Sequence, residues 1–419
     1  MRKMFGRVLA GVLVTGLVLT GCGGGKEPSG GGTAGTETAG ADGTGAVSGG
    51  SGAGNGSGSV GVDTTGFLMD VLNADIQTAD VQKTTKDYTV PTNIFDRLAD
   101  IQVDDQGVSK IVPSLAEKWD ISGDGLEYTF YLQKGVKFQN GNDFTAEDVL
   151  YTFERLLTVE GGLNTELLDQ VKGAAELMEG TADTLEGVEV VDDYTVKITL
   201  KEPFAAFLSC LTAPGLSIYD SEATEAAGDQ FGMDPAVTVG TGPFKFAGWN
   251  FNDQLVLVKN DDYWRGASEL PGVVIKIIPD TETQTMMFES GELDLLDLDF
   301  VTDAADRFLE TYPDQIVQGP RVGITYFTMN FNKEPFQDVK VRQAVQMAID
   351  RQAILDALYG GRGQVEHGIY PYGLIGFNEG QTKISYDPEG AKALLEEAGY
   401  GSGFTMELAM NPEAMSCFS

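Results

Sequence analysis

The chain has a single histidine, His367, so any Ser/His/Asp machinery must use it, and no G-x-S-x-G elbow accompanies it. Carboxylate pairs suited to glycoside hydrolysis occur throughout the chain and therefore discriminate nothing. The three cysteines, Cys22, Cys210 and Cys417, form no C-x-x-C pair and have no companion histidines, which argues against a zinc site or a disulfide framework. The carboxylates from Glu289 to Asp299 are dense enough to suggest a cation site, but loops and strand edges of a very acidic protein collect such residues anyway. No metal and no cofactor is expected. An acidic hydrolase is the different-class alternative, and binding chemistry is the better fit.

A chain of 419 residues is long for one domain and comfortable for two or three. With 63 Asp and Glu against 28 Lys and Arg, its formal charge of −35 repels phosphate backbones and anionic headgroups, so nucleic acid is excluded as a partner. Met1-Arg2-Lys3 and Arg7 make a positive start, and Val8 to Leu19 is an apolar run too short for a permanent span. This reads as a signal peptide, residues 1–21. Residues 22–61 are almost wholly Gly, Ser, Thr and Ala and form a disordered tether with a root-mean-square reach of roughly 35 Å.

The elements that must position any site begin near Val62. Phe67 to Leu72 suits a first strand, and Asn73 to Lys86 is polar with helix-compatible stretches. Tyr128, Phe130 and Leu132 alternate with polar neighbours in a half-buried strand. Thr145 and Asp148 form a capping box, after which Val149, Leu150, Phe153, Leu156 and Leu157 share a helical face. Val188 to Leu200 is a hairpin turning at Asp192-Asp193, and Pro203-Phe204 starts a helix that packs Cys210 in the core. Leu255 to Val258 and Val273 to Ile278 are buried strands. Helix Thr281 to Ser290 then leads to a strand opening at Gly291 to Leu295, a βαβ unit with parallel pairing. A short helix spans Asp303 to Glu310.

Ile324 to Phe331 is β-branched and aromatic enough to be a strand. Asp338 caps a helix whose Val341, Ala344, Val345 and Ala348 form an apolar stripe, and Asp350 caps a second helix, Arg351 to Tyr359. Ala391, Leu394, Leu395 and Ala398 form one face of a helix that stops at Gly399, and Phe404 to Met410 is a further strand.

Five blocks carry a family resemblance. They are Asn93 to Leu98; Leu115 to Val149 with Tyr128-Thr129-Phe130 and Gly135-Val136-Lys137-Phe138; Gly240-Thr241-Gly242-Pro243-Phe244 through Tyr263-Trp264; Asn330 to Arg351; and Ala391 to Tyr400. In this order they resemble the extracytoplasmic solute-binding proteins of the peptide/nickel class of ABC transporters. Gln139-Asn140-Gly141 stands where the family commonly has His-Asp-Gly, and no chemistry attaches to the change. Leu19-Thr20-Gly21-Cys22 resembles the lipobox of bacterial lipoproteins, in which the cysteine thiol takes diacylglycerol.

The resemblance implies an α/β, two-lobed periplasmic-binding-protein-like clamp with a small extra lobe inserted in lobe I. Its parts are 62–98 plus 214–320 as lobe I, 99–213 as the inserted lobe, and 321–419 as lobe II, incomplete because family members continue well past the equivalent of Met410. The chain is accordingly expected to be a C-terminally truncated product. It further implies a monomer that captures di- or oligopeptides by main-chain pairing and delivers them to a membrane permease. Cys22 anchors it to the outer face of the cell membrane, facing the periplasmic space if the source is Gram-negative. Asp75, Gln77 and Thr78, on the segment after the first strand, are candidates for the ligand cleft. So are His367 and Tyr370, on a loop approaching it, and Asn411. Nickel, haem or another small solute is the alternative cargo; nickel prefers imidazole nitrogen, and His367 is the one imidazole.

Overall fold

The computed structural model describes residues 62–408 apart from 87, 105–107, 299–301, 320–322 and 375. Cys22, the tether and Asn411 lie outside the described residues. Along the chain, β1 (Leu68–Leu72) is followed by an irregular segment and the single turn α1 (Pro91–Ile94). Two antiparallel hairpins come next, β2 (Ala99–Val103) with β3 (Ser109–Pro113) and β4 (Ala116–Ile121) with β5 (Glu127–Leu132). Helices α2 (Ala146–Thr158) and α3 (Ala174–Met178) lead to the hairpin of β6 (Val188–Asp192) and β7 (Thr195–Thr199). Short helices α4 (Phe207–Cys210) and α5 (Ser221–Ala227) precede β8 (Phe244–Asn250), β9 (Gln254–Lys259) and β10 (Gly272–Ile277). The remaining elements are helical: α6 (Thr281–Ser290), α7 (Thr302–Thr311), α8 (Val339–Ala348), α9 (Arg351–Tyr359) and α10 (Pro388–Glu397).

Two sheets carry two cores. The first, in the order β4-β5-β7-β6, is antiparallel throughout. Tyr128, Phe130 and Leu132 of β5 and Val196 and Ile198 of β7 point into it, as period-two alternation requires. Helix α2 covers that face with Val149, Phe153, Leu156 and Leu157, and its start is held by the Thr145–Asp148 capping box. The second sheet runs β1-β10-β9-β8, with β1 and β10 parallel and the others antiparallel. Ile76, Phe95, Tyr219, Phe231, Phe246 and Leu257 are buried in its core.

Gln139 joins the two cores, which corrects the expectation that its replacement of the usual histidine carries no chemistry. Its side-chain amide donates to the carbonyls of Ile94 (3.3 Å), Gly242 (3.2 Å) and Phe244 (2.7 Å), and its Oε1 accepts from Gly240 N (3.3 Å). Next to it, Asn140 Nδ2 donates to Asp220 at 2.8 Å.

Several sequence expectations give way. Residues 73–86 contain no helix: the segment is irregular but buries Ile76, Ala79, Asp80, Val81 and Gln82, because Gly232 O, Leu163 N, the Asn164 amide and its own Thr78 and Asp80 side chains bond its backbone. Only the single turn α1 precedes Leu98, and the helix expected at Pro203 forms only at α4, where Cys210 is half-buried. No strand opens at Gly291. That residue ends α6 in the left-handed conformation, and the parallel partner of β10 is instead β1, two hundred residues away in sequence. Ile324 to Phe331 joins no ladder, nor do residues 404–408. A strand needs a neighbour for its N–H and C=O groups, and among the described residues none lies alongside. Tyr326, Phe327 and Phe331 are consequently exposed. In contrast, α8 and α10 do pack on each other, with Val341, Ala344, Val345 and Ala391 buried, Asp387 N donating to Met347 O (2.8 Å) and Lys340 paired with Glu397 (3.0 Å). Ala348, at the end of the expected stripe, is exposed.

Candidate ligand-cleft site

The register of the second sheet places the C-terminal ends of β1 and β10 at one edge with the β8–β9 turn: Leu72 lies opposite Ile277, Lys276 opposite Gln254, and Gln254 opposite Asn250. Carboxyl ends of parallel strands are where open α/β sheets bind ligands, since departing loops line a crevice there. The loop leaving β1 at this edge carries the first three candidates.

Asp75 is half-buried and turned onto the β8–β9 turn. Trp249 Nε1 donates to both its oxygens (3.0 and 3.2 Å), and Asn252 N donates to Oδ2 (2.7 Å). Asn252 has a positive φ of 56°, which an asparagine tolerates better than most side chains. Trp249 stacks on Phe251 with ring centroids 4.3 Å apart. Gln77 is exposed at the same edge. Thr78 is buried: its hydroxyl donates to Gly232 O (3.2 Å) and accepts from Asp80 N (3.0 Å). The loop approaches Gly232 so closely that a Cβ there would lie 2.4 Å from Asp80 N, and the φ of +79° also demands glycine.

What fixes the loop is a buried charge network. Asp80 accepts from Arg155 Nη2 (2.7 Å) and Nη1 (3.2 Å) and from the Tyr219 hydroxyl (3.0 Å). Arg155 Nη1 also donates to Gln82 Oε1 (2.6 Å), and Gln82 Nε2 donates to Thr152 O (2.9 Å). Burial acts to lower the Arg155 pKa, but the Asp80 hydrogen bond and charge outweigh it, and the net shift is upward. Burial, with the Asp80 charge, holds the Tyr219 phenol well above its ordinary value, so it stays a donor.

His367 and Tyr370 lie on a different loop. Arg351 of α9 steadies it, donating Nη1 to Glu366 O (2.9 Å) and Nη2 to Ile384 O. Burial, then the Arg351 and Lys383 charges, lower the His367 pKa, and its buried Nδ1 has no hydrogen-bond partner. Tyr370 is exposed. Among the described residues no hydrogen bond joins this loop to Asp75, Gln77 or Thr78. A recess of about 300 Å³ opens between α8 and the stretch before α10, lined by Gln343, Met347, Lys383, Ile384, Ser385 and Asp387; no sequence candidate lines it. Sequence reasoning missed Phe251, Asn252, Asp80 and Arg155 as parts of this region. The aromatic pair flanking a polar turn was the one available signal.

The carboxylates after α6 meet the edge of β1: Met69 N donates to Asp294 Oδ2 (2.8 Å). Among the described residues no group of three or more His, Cys, Asp or Glu side chains is placed to hold a metal. Asp70 in β1 has its pKa raised by burial; a hydrogen bond from Val71 N opposes this and the nearby Asp297 charge adds to it. A carboxyl with a raised folded pKa contributes stability below the unfolded carboxylate range and loses it as pH rises through the folded value. Asp70→Asn is therefore expected to raise the urea midpoint at pH 7, with the gain vanishing by about pH 3. An equal gain at both pH values in urea titrations would show that charge is not the cause.

Comparison with known proteins defines the class. Residues 110–415 match the bacterial extracellular solute-binding proteins, family 5 Middle, and the chain belongs to this family. It is 36% identical over 331 residues to heme-binding protein A of Haemophilus influenzae, covering 76% of this chain and 59% of that protein. It is 31% identical over 333 residues to the dipeptide-binding protein of Escherichia coli, covering 76% and 60%. Among solved structures, the periplasmic binding protein DppA from Helicobacter pylori in complex with peptide STSA superposes with a TM-score of 0.64 at 28% identity, over 80% of this chain and 66% of that one. Haemophilus influenzae OppA in complex with RPPGFSPFR gives 0.67 at 25%, with the same coverage. The fold is the α/β fold of these two-lobed binding proteins, and the chain spans about three fifths of the length of the curated relatives it matches.

Proposed function

We propose that the protein captures di- or oligopeptides outside the cytoplasm for an ABC importer and performs no catalysis. The observation that carries this reading is the loop after β1, held by Asp75 to the β8–β9 turn at the carboxyl edge of the parallel β1–β10 pair and tied to α2 by the Asp80–Arg155 ion pair, in a chain that superposes on a peptide-bound relative. A fixed loop leaving an edge strand suits main-chain pairing, which tolerates varied peptide sequences. Residues 62–98 plus 214–320 serve as lobe I, 99–213 as the inserted lobe, and the segment from 321 opens lobe II. Closure of the lobes on ligand presents the protein, as a monomer, to its permease. Asp75, Gln77, Thr78, His367, Tyr370 and Asn411 are the cleft candidates. Cys22 takes the lipid and the tether of 22–61 lets the body range above the membrane.

The test is calorimetric titration and thermal shift of the chain with a panel of di- to nonapeptides. A peptide at a hundred times its Kd adds about 2.7 kcal/mol to the stability. Absence of any shift across the panel defeats the reading. Cys22→Ala is expected to move the protein from the membrane fraction to the soluble one.

Haem is the second reading, favoured by the neutral His367 with its unpartnered Nδ1 and by the likeness to heme-binding protein A. A Soret shift on hemin titration, lost in His367→Ala, would select it over peptide.

A further inference from the structure

The carboxyl edge of the second sheet holds an exposed aromatic ring, Phe251, and its role is inferred within the peptide reading, on which it rests. Phe251 sits at the tip of the β8–β9 turn with 61% of its surface exposed. Its ring is not adrift: it stacks on Trp249 at 4.3 Å and 27°, and Trp249 in turn lies 6.1 Å from the ring of Phe246, which is buried in the second core. Three rings thus run from the core to the surface, the last with one face open. Asp75, from the β1 loop, locks the middle ring through Trp249 Nε1 and the turn backbone through Asn252 N. Both carboxylate oxygens are engaged by the protein's own donors, one of them at 2.7 Å, so Asp75 is already committed.

We infer that the Trp249–Phe251 stack is the ligand-contacting platform of this edge, a subsite for an aromatic side chain of the bound peptide, and that Asp75 is a positioning residue which aims the stack. An offset or edge-on ring laid on Phe251 gains pairing energy beyond simple area burial, and it covers a surface that water otherwise wets. A pre-stacked pair loses little rotamer freedom when the ligand arrives, so its contact is expressed in affinity. The assignment separates two roles that the Asp75 carboxylate could have: an ion-pair partner for the ligand ammonium would act on every peptide alike, whereas a positioning residue acts only where the platform is used.

The experiment is isothermal titration of the full chain with Ala-Phe-Ala and Ala-Ala-Ala at two salt concentrations. The unsubstituted protein prefers Ala-Phe-Ala, and Phe251→Ser cuts that preference about tenfold. Phe251→Tyr, which keeps the ring, retains it. Asp75→Asn narrows the preference while leaving the salt dependence of binding as it was. Far-UV circular dichroism verifies the fold of each variant, and Phe251→Tyr is the conservative check on any that is altered. The inference is overturned if Phe251→Ser leaves the preference intact, or if Asp75→Asn weakens both peptides equally and flattens the salt dependence. Peptide binding without dependence on Phe251 sinks the platform alone, while failure of the unsubstituted chain to bind either peptide sinks the peptide reading and the platform with it.

Discussion

Asp80→Ala is expected to cost about 3–5 kcal/mol of stability, the largest effect of any single side-chain truncation at this site. Asp80 is 1% exposed and Arg155 has only 11% of its side chain accessible, so removing the carboxylate strands a largely desolvated guanidinium. The Tyr219 hydroxyl loses its acceptor in the same step, and Arg155 is left with its Gln82 contact, the Tyr151 hydroxyl and the faces of Tyr219 and Phe231, each 5.4 Å away. The loop carrying Asp75, Gln77 and Thr78 would loosen together with the junction between α2 and the second core. Urea unfolding measures the loss, and peptide titration should show weakened binding before global unfolding. Arg155→Met on top of Asp80→Leu should recover much of the stability, because a buried ion pair replaced by apolar groups is often neutral. If Asp80→Ala alone costs under about 1 kcal/mol, the network is not what holds the loop.

The second large effect is steric. Gly240→Ala places a Cβ 1.9 Å from Ile94 O and 2.6 Å from Phe95 Cδ1, and neither neighbour is the loose end of a flexible chain. To make room, α1 must withdraw from the Gly240–Thr241–Gly242 stretch. That breaks the bond from Gly242 N to Ile94 O (3.0 Å) and disturbs the Gln139 amide, which spans the same carbonyls. A loss of about 2–4 kcal/mol is expected by overpacking against backbone. Gly123→Ala is the control: a Cβ there meets nothing within 4 Å. It should stay within about 0.5 kcal/mol of the parent in the same urea titration. Equal, small effects at the two positions would refute the packing argument.

These two sites also mark what was legible in the chain. Features written in adjacent residues were readable. The α6 and α9 boundaries follow their capping aspartates, Asp280 and Asp350, and the β6–β7 hairpin forms where it was read, although its turn is Asp193-Tyr194, one residue later than expected, because Asp192 still pairs with Thr195. The ligand-edge loop was placed by resemblance, but its conformation was not readable, because Asp80 and Arg155 are 75 positions apart and no spacing rule links them. Gln139 looked like a neutral replacement until its three carbonyl partners, from Ile94, Gly242 and Phe244, came together around it.

The sequence by itself determined the class of fold, the acidic exterior, the helices with their caps and the alternation of the β5 and β7 strands. The class of fold was implied by the family resemblance, and the others are local matters of side-chain period, turn chemistry and charge. Tertiary structure alone decided which strands found partners. Ile324 to Phe331 has the composition of a strand and forms no ladder, while β1 pairs in parallel with β10 two hundred residues on. It also decided that the Asp75 carboxylate holds Trp249 and Asn252, and that Phe251 is the ring left open at the edge. Backbone hydrogen bonds and buried charges must be satisfied wherever the folded chain brings partners together, and no local pattern records where that will be.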